Sequence, residues 1–231
     1  MGVFRNENAT AHPSGIPSNR ENALMITVSE VIVQERVITL AITGASGAIF
    51  ARLALEMLDT DPRVRRIHLV ASDAALRVFA EELQLAGRTQ LVERLLGRSS
   101  DKIVHHGQDD IGAAIASGSH LSHGMIVLPC SMGTLAGIAN GLASNLIERA
   151  ADVTLKERRL LVLCVRETPF NRIHLRNMQL AAEAGATIYP VIPTFYNHPQ
   201  SVEDIARNFV HRVLAHIGLP QAGAYEWKPE D

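Results

Sequence analysis

Apolar residues fall into short unbroken runs that alternate with stretches of helical spacing. Val37-Ile-Thr-Leu-Ala-Ile-Thr43 is a β-branched run ended by Gly44, the pattern of a strand buried on both faces. Ile67-His-Leu-Val-Ala71, Met125-Ile-Val-Leu-Pro129, Leu160 to Val165 and Thr187-Ile-Tyr-Pro190 repeat it. Between them the spacing turns helical over 48–58, where Phe50, Leu53, Ala54 and Met57 recur, and over 74–83, 146–158, 173–184 and 202–217. Residues 88–101 are charged and weakly patterned, a short helix and loop, and Gly133 to Ala143 is a small-residue segment. Strands alternating with helices predict a three-layer α/β fold, its mainly parallel sheet covered on both sides. Residues 1–33 are polar without period and are expected to be a disordered extension. One domain over 34–220 and a tail over 221–231 complete the division.

Composition narrows the function. Of 231 residues, 47% are hydrophobic, enough for a sizeable core. Lys plus Arg (22) nearly balance Asp plus Glu (24), which leaves no electrostatic footprint for nucleic acid or an anionic membrane. A bound anion must therefore be held by locally placed basic groups. Aromatic residues make up only 4%, which argues against a nucleobase-stacking or carbohydrate platform. Cys130 and Cys164 lie inside apolar runs, as buried small hydrophobes of a reducing compartment. His105-His106 and His120-x-x-His123 lack metal-ligand spacing, so no metal is expected. Without an apolar leader or a membrane-length run, a cytoplasmic chain is expected.

In open α/β sheets, ligands bind beyond the carboxyl ends of the strands. The residues there are Gly44-Ala-Ser-Gly47, Ser72, Pro129-Cys-Ser-Met-Gly-Thr134 and the pair Arg166-Glu167. The glycine loop is no P-loop, because it lacks the phosphate-clasping lysine. It resembles the opening of short-chain dehydrogenases, yet the second strand ends in Ser72, where a ribose-binding acid is favoured. None of Tyr189, Tyr196 and Tyr225 has the lysine four positions on that those enzymes use. The loop also suits a tight turn without ligand. Two hydroxyl-bearing loops at one edge, together with Ser72, predict a phosphate and isoalloxazine cradle. Arg149 and Lys156 stand two helical turns apart on one face, able to grip a phosphate. The same face also reads as an ordinary solvated one with an Asp152–Lys156 pair. Cations beside Glu167 favour its ionised form, and a bound phosphate dianion opposes them and lets it carry a proton to a leaving phosphate. Arg212 and Tyr196 are candidates to complete an anion pocket.

Together these segments resemble the UbiX-type flavin prenyltransferases. The resemblance spans about 37–220 plus Trp227. It rests on Thr43-Gly-Ala-Ser-Gly-Ala48, Pro129-Cys-Ser-Met-Gly-Thr-Leu135 and Asn145-Leu-Ile-Glu-Arg-Ala-Ala-Asp-Val-Thr-Leu-Lys-Glu-Arg-Arg159. Val165-Arg-Glu-Thr-Pro169, His174-Leu-Arg-Asn-Met178 and Phe195-Tyr-x-x-Pro-Gln200 extend it. The glycine motif is common, whereas 145–169 with Phe-Tyr-x-x-Pro-Gln is specific. The resemblance implies a flavodoxin-like Rossmann fold, a homododecamer with active sites at subunit contacts, and metal-free transfer of dimethylallyl from its monophosphate to N5 of reduced FMN. Ring closure at C6 then gives prenylated FMN for a UbiD-type decarboxylase, often in ubiquinone biosynthesis. It further implies FMN contacts from Gly44, Ala45, Ser46, Ser72, Ser131, Met132, Gly133, Thr134 and Arg149. Lys156, Arg166, Tyr196 and Arg212 are implied to hold the prenyl phosphate, and Trp227 to cover the site. Ser46 is implied near flavin N5, Glu167 as proton donor to the phosphate, and Glu82 as helper in proton removal. Asp73 departs from the lysine that many relatives carry after the serine, and its charge is expected to weaken binding of the FMN phosphate. Two alternatives are a flavin-dependent cysteine decarboxylase, with its histidine drawn from His105, His106 or His123, and a non-catalytic flavin carrier.

Overall fold

The computed structural model of the chain describes residues 35–227. The extension expected over 1–33 and the last four residues of the tail lie outside the described residues. Six strands form one all-parallel sheet: β1 (Arg36–Ile42), β2 (Val64–Ala71), β3 (Ile103–His106), β4 (Gly124–Cys130), β5 (Leu160–Val165) and β6 (Thr187–Ile188), in the order β3-β2-β1-β4-β5-β6. Every residue of β4 is buried, as are all but the first of β1 and of β5, so the continuous apolar runs are central strands. Helices α1 (Ala48–Thr60), α2 (Asp73–Leu83) and α3 (Leu91–Leu96) cover one face with α7 (Val202–His216). The other face carries α4 (Met132–Ala139), α5 (Leu146–Lys156) and α6 (Arg172–Glu183). The two cores follow the strand alternation: Ile38, Leu40 and Ile42 of β1 point to the first set, and Ala41 to the second.

Two elements depart from the sequence expectation. β3 is a half-buried edge strand, Ile-Val-His-His, too short and polar to stand out as an apolar run. The small-residue segment after β4 is the helix α4, although each glycine costs a helix about 1 kcal/mol. Packing decides this one. Ser131 caps its first turn, and a side chain at Gly137 would collide with the buried carboxylate of Glu148 on α5. Both cysteines are free and buried, and burial pushes the Cys130 thiol up to about 12. Among the described residues, no helix is long and apolar enough to cross a membrane, and no group of three His, Cys, Asp or Glu side chains is placed to hold a metal ion.

Candidate active site

The chain reverses its direction of travel across the sheet between β1 and β4, and such a switch point opens a crevice at the strand ends. The two hydroxyl loops meet there. Thr43 Oγ1 donates to the Pro129 carbonyl and accepts from the Ser131 amide, both at 2.8 Å. Gly44 packs so tightly on Ala74 that any side chain would overlap its methyl group. Gly47 adopts φ 120°, in the range glycine favours. Three helix N-termini, those of α1, α2 and α4, therefore converge on one edge, where unpaired amides and aligned peptide dipoles favour an anion.

Ser72 and Ser131, both expected as ligand donors, serve as N-caps. Ser72 Oγ accepts from the Ala75 amide, and Ser131 Oγ from that of Thr134. A capping oxygen still has its own hydrogen to give; that of Ser131 goes to Thr134 Oγ1. Gly47 offers α1 no side-chain cap. Glu82, from the last turn of α2, supplies one by accepting from the Ala48 amide at 2.7 Å and the Gly47 amide at 3.0 Å. Burial works to raise its pKa, but the Ser46 hydroxyl, the two amides and the nearby Arg166 charge prevail and hold the carboxyl below its ordinary value. The structure thus brings Ser46, Glu82 and Arg166 together. Arg166 Nε is buried without a hydrogen-bond partner, a donor free for an anion. Glu167 is half-buried beside it, with Oε1 accepting from the Thr168 amide. Asp73 does not present a bare charge to this edge. Its carboxylate is paired with Arg88 and accepts from Gln108 Nε2 at 2.7 Å.

Tyr196, Arg212 and Trp227 line a second cavity of about 460 Å³ with Thr194 and Tyr225. The Tyr196 and Trp227 rings meet edge to face, 4.7 Å apart. Tyr189 interacts with the Arg212 guanidinium, which works to lower its phenol pKa; burial outweighs that contact and raises it. Sequence reasoning missed Tyr189, Thr194 and Tyr225, because nothing local marks residues that meet only where the segment after β6 and the tail both pack on α7. The glycine loop is absent from the walls of this cavity. Lys156 is elsewhere again. It ends α5, just before β5 begins, and so lies at the opposite edge of the sheet, paired with Glu157. The expected Asp152–Lys156 pair does not form, because Asp152 is taken by Arg149 at 2.7 Å. Of the candidate histidines, His123 Nδ1 accepts from the Val37 amide at that far edge, and His106 contacts His68.

The chain matches the Flavoprotein family model over residues 26–214. It is 45% identical to the flavin prenyltransferase UbiX of Pseudomonas aeruginosa over 196 residues, 82% of this chain and 93% of that one. The crystal structure of AnUbiX in complex with FMN and dimethylallyl pyrophosphate superposes with a TM-score of 0.76 at 40% identity, over 85% of this chain and all of that one. A dodecameric FMN-dependent UbiX-like decarboxylase from Escherichia coli O157:H7 gives 0.75 at 42%, over 84% of this chain and all of that one. With the cradle at the switch point and these identities along most of its length, the chain belongs to the UbiX-type flavin prenyltransferases.

Proposed function

We propose that this chain transfers a dimethylallyl group from its phosphate ester to N5 of reduced FMN, closes a ring at C6, and hands prenylated FMN to a UbiD-type decarboxylase. One observation carries the reading beyond flavin binding. Besides the anion-favouring cradle, the chain builds a separate cavity in which a single guanidinium, Arg212, faces the rings of Tyr196, Tyr225 and Trp227. A flavin carrier has no use for it. A prenyl phosphate does: cation to phosphate, aromatic faces to an allylic group as it gains positive charge.

FMN fits the cradle, with the amides of Gly44 and Gly133, the hydroxyls of Ser46, Ser72, Ser131 and Thr134, the backbone of Met132 and the cation of Arg149 as its partners, while the Ala45 amide, held by the Thr43 carbonyl at 2.9 Å, shapes the loop around it. Reduced FMN supplies the nucleophilic ring atoms. The chain's own residues do the rest. Arg166, Arg212, Lys156 and Tyr196 gather charge from the departing phosphate, and Glu167 delivers a proton to it. Ser46 passes a proton from the ring to Glu82, whose contact with the Ser46 hydroxyl makes it the nearby base. Trp227 excludes water.

Within one chain Lys156 and Arg212 belong to helices on opposite faces of the sheet, which supports a site completed by neighbouring subunits. A homo-oligomer also accounts for Phe170, Ile173 and Leu175, which stand 40%, 68% and 54% exposed around the head of α6. The test is anaerobic incubation with reduced FMN and dimethylallyl phosphate, then dimethylallyl pyrophosphate, with the flavin mass measured. A gain of one C5H8 unit is expected. An unchanged flavin from folded protein with both donors would refute transfer.

A further inference from the structure

Three imidazoles form a continuous chain beneath the α5 side of the sheet. His68, on β2 and only 5% exposed, has Nδ1 2.9 Å from His106 Nε2 and Nε2 3.0 Å from His120 Nε2. The first pair of rings is stacked at 23°, and the second meets edge to face at 87°. A neutral imidazole has one N–H and one lone pair, so His68 donates to one neighbour and accepts from the other. Both bridges are then satisfied. One extra proton is tolerated, because His68 can donate both ways. A second removes an acceptor and breaks a bridge.

His120 belongs to a segment, 113–123, that lies along α5. Its Ala116 carbonyl accepts from Arg149 Nε at 3.0 Å, and the Lys156–Glu157 pair packs over Gly118. Arg159 donates to the Gly118 and His120 carbonyls, each at 2.8 Å. At the other end of the chain, His106 lies two residues before Gln108, whose carbonyl accepts from the Leu146 amide at the head of α5 at 2.7 Å. The bond to Ala116 uses Nε of Arg149 and fixes the plane of its guanidinium.

We propose that the His68–His106–His120 chain is a positioning device that docks segment 113–123 on the sheet and, through the Ala116 carbonyl, aims Arg149 at the phosphate of FMN. This rests on the flavin role of Arg149 proposed above. The charged groups facing the chain are Arg65 and Arg66 of β2, Asp110 beyond β3, and Arg159 beyond α5. Burial, then the neighbouring rings and cations, hold the imidazoles in their neutral form, with His68 at about 4; Asp110 works the other way on His106. Acid should therefore undo the docking.

The test titrates oxidised FMN into the full chain, followed by flavin fluorescence, from about pH 7.5 to about pH 4, a range that spans the ordinary imidazole value and the lowered one of His68. His120→Ala is expected to weaken binding about fivefold at neutral pH, the value of one hydrogen bond. His120→Gln, whose amide can still bond His68, should recover most of that loss. The flavin phosphate also titrates in this range, but equally for every variant, so the ratio of wild-type to His120→Gln affinity isolates the imidazole chain. That ratio should fall as pH drops. In an Arg149→Ala background His120→Ala should have no further effect. A flat ratio, or an undiminished effect in the Arg149→Ala background, would overturn the positioning role, and the His120→Gln profile decides should His120→Ala not fold. A wild-type chain that binds no FMN at any pH would overturn the flavin reading itself, and this role with it.

Discussion

The hydroxyl of Thr43 bonds both the Pro129 carbonyl and the Ser131 amide, so one oxygen joins the ends of β1 and β4. Thr43→Val keeps the shape and strands both partners, which should cost about 1–3 kcal/mol in urea denaturation, whereas Thr43→Ser should cost much less. Glu167 offers a sharper chemical prediction. Glu167→Gln should bind FMN as tightly as wild type and yet slow transfer about a hundredfold, within the usual range of acid catalysis; stopped-flow absorbance of the flavin checks this, and wild-type turnover would remove the acid role. At this scale legibility depends on reach. Ser72 and Ser131 are visible because a hydroxyl residue directly after a buried strand is a local signal. Tyr189, which holds Arg212 from another element, has no such signature.

Among the elements, the tail is held as a strap. Gln221 Nε2 donates to Asp61 Oδ2 at 2.9 Å, and Arg63 Nη2 bonds both Asp61 at 2.6 Å and the Pro220 carbonyl at 2.7 Å. Burial works to raise the Asp61 pKa, but hydrogen bonds from Arg63 and Gln221 prevail and bring it to about 2. This contribution to stability is present above about pH 3.8 and is lost as pH falls toward 2. Asp61→Ala should loosen the strap that carries Tyr225 and Trp227. The expected signature is a red shift of emission from the single tryptophan and a raised KM for the prenyl donor, with FMN affinity unchanged. The strands were legible because burial on both faces writes an unbroken apolar run. β3 and α4 were not, since an edge strand needs no such run and α4 exists through its fit against Glu148.

For the molecule as a whole, the buried imidazoles make stability depend on pH. A histidine held neutral in the fold takes up its proton only on unfolding. Stability is therefore complete above about pH 6.5 and declines as pH falls toward 4, by at most about 3 kcal/mol from His68. Denaturation midpoints across that range should follow this slope in wild type and flatten in His68→Leu. The opposite placement of Lys156 and Arg212 gives another test. Lys156→Ala and Arg212→Ala should each be inactive, while co-expressed and co-assembled chains should regain part of the activity, because some sites then draw both intact residues from different subunits. Inactive mixed assemblies would place both residues in a site built by one chain.

By itself the sequence determined the alternation of strands and helices, the glycine loop and the hydroxyl residues that follow the buried strands, because these follow from periodicity and backbone preference over a few neighbouring residues. Tertiary structure alone decided what meets across distance. Glu82 caps a helix that begins 34 residues earlier, His68 bonds a ring 38 residues away, and Gln221 reaches back 160 residues to Asp61. Such contacts leave no periodic trace, since their partners are set by how the layers pack and by which buried polar groups must find one another.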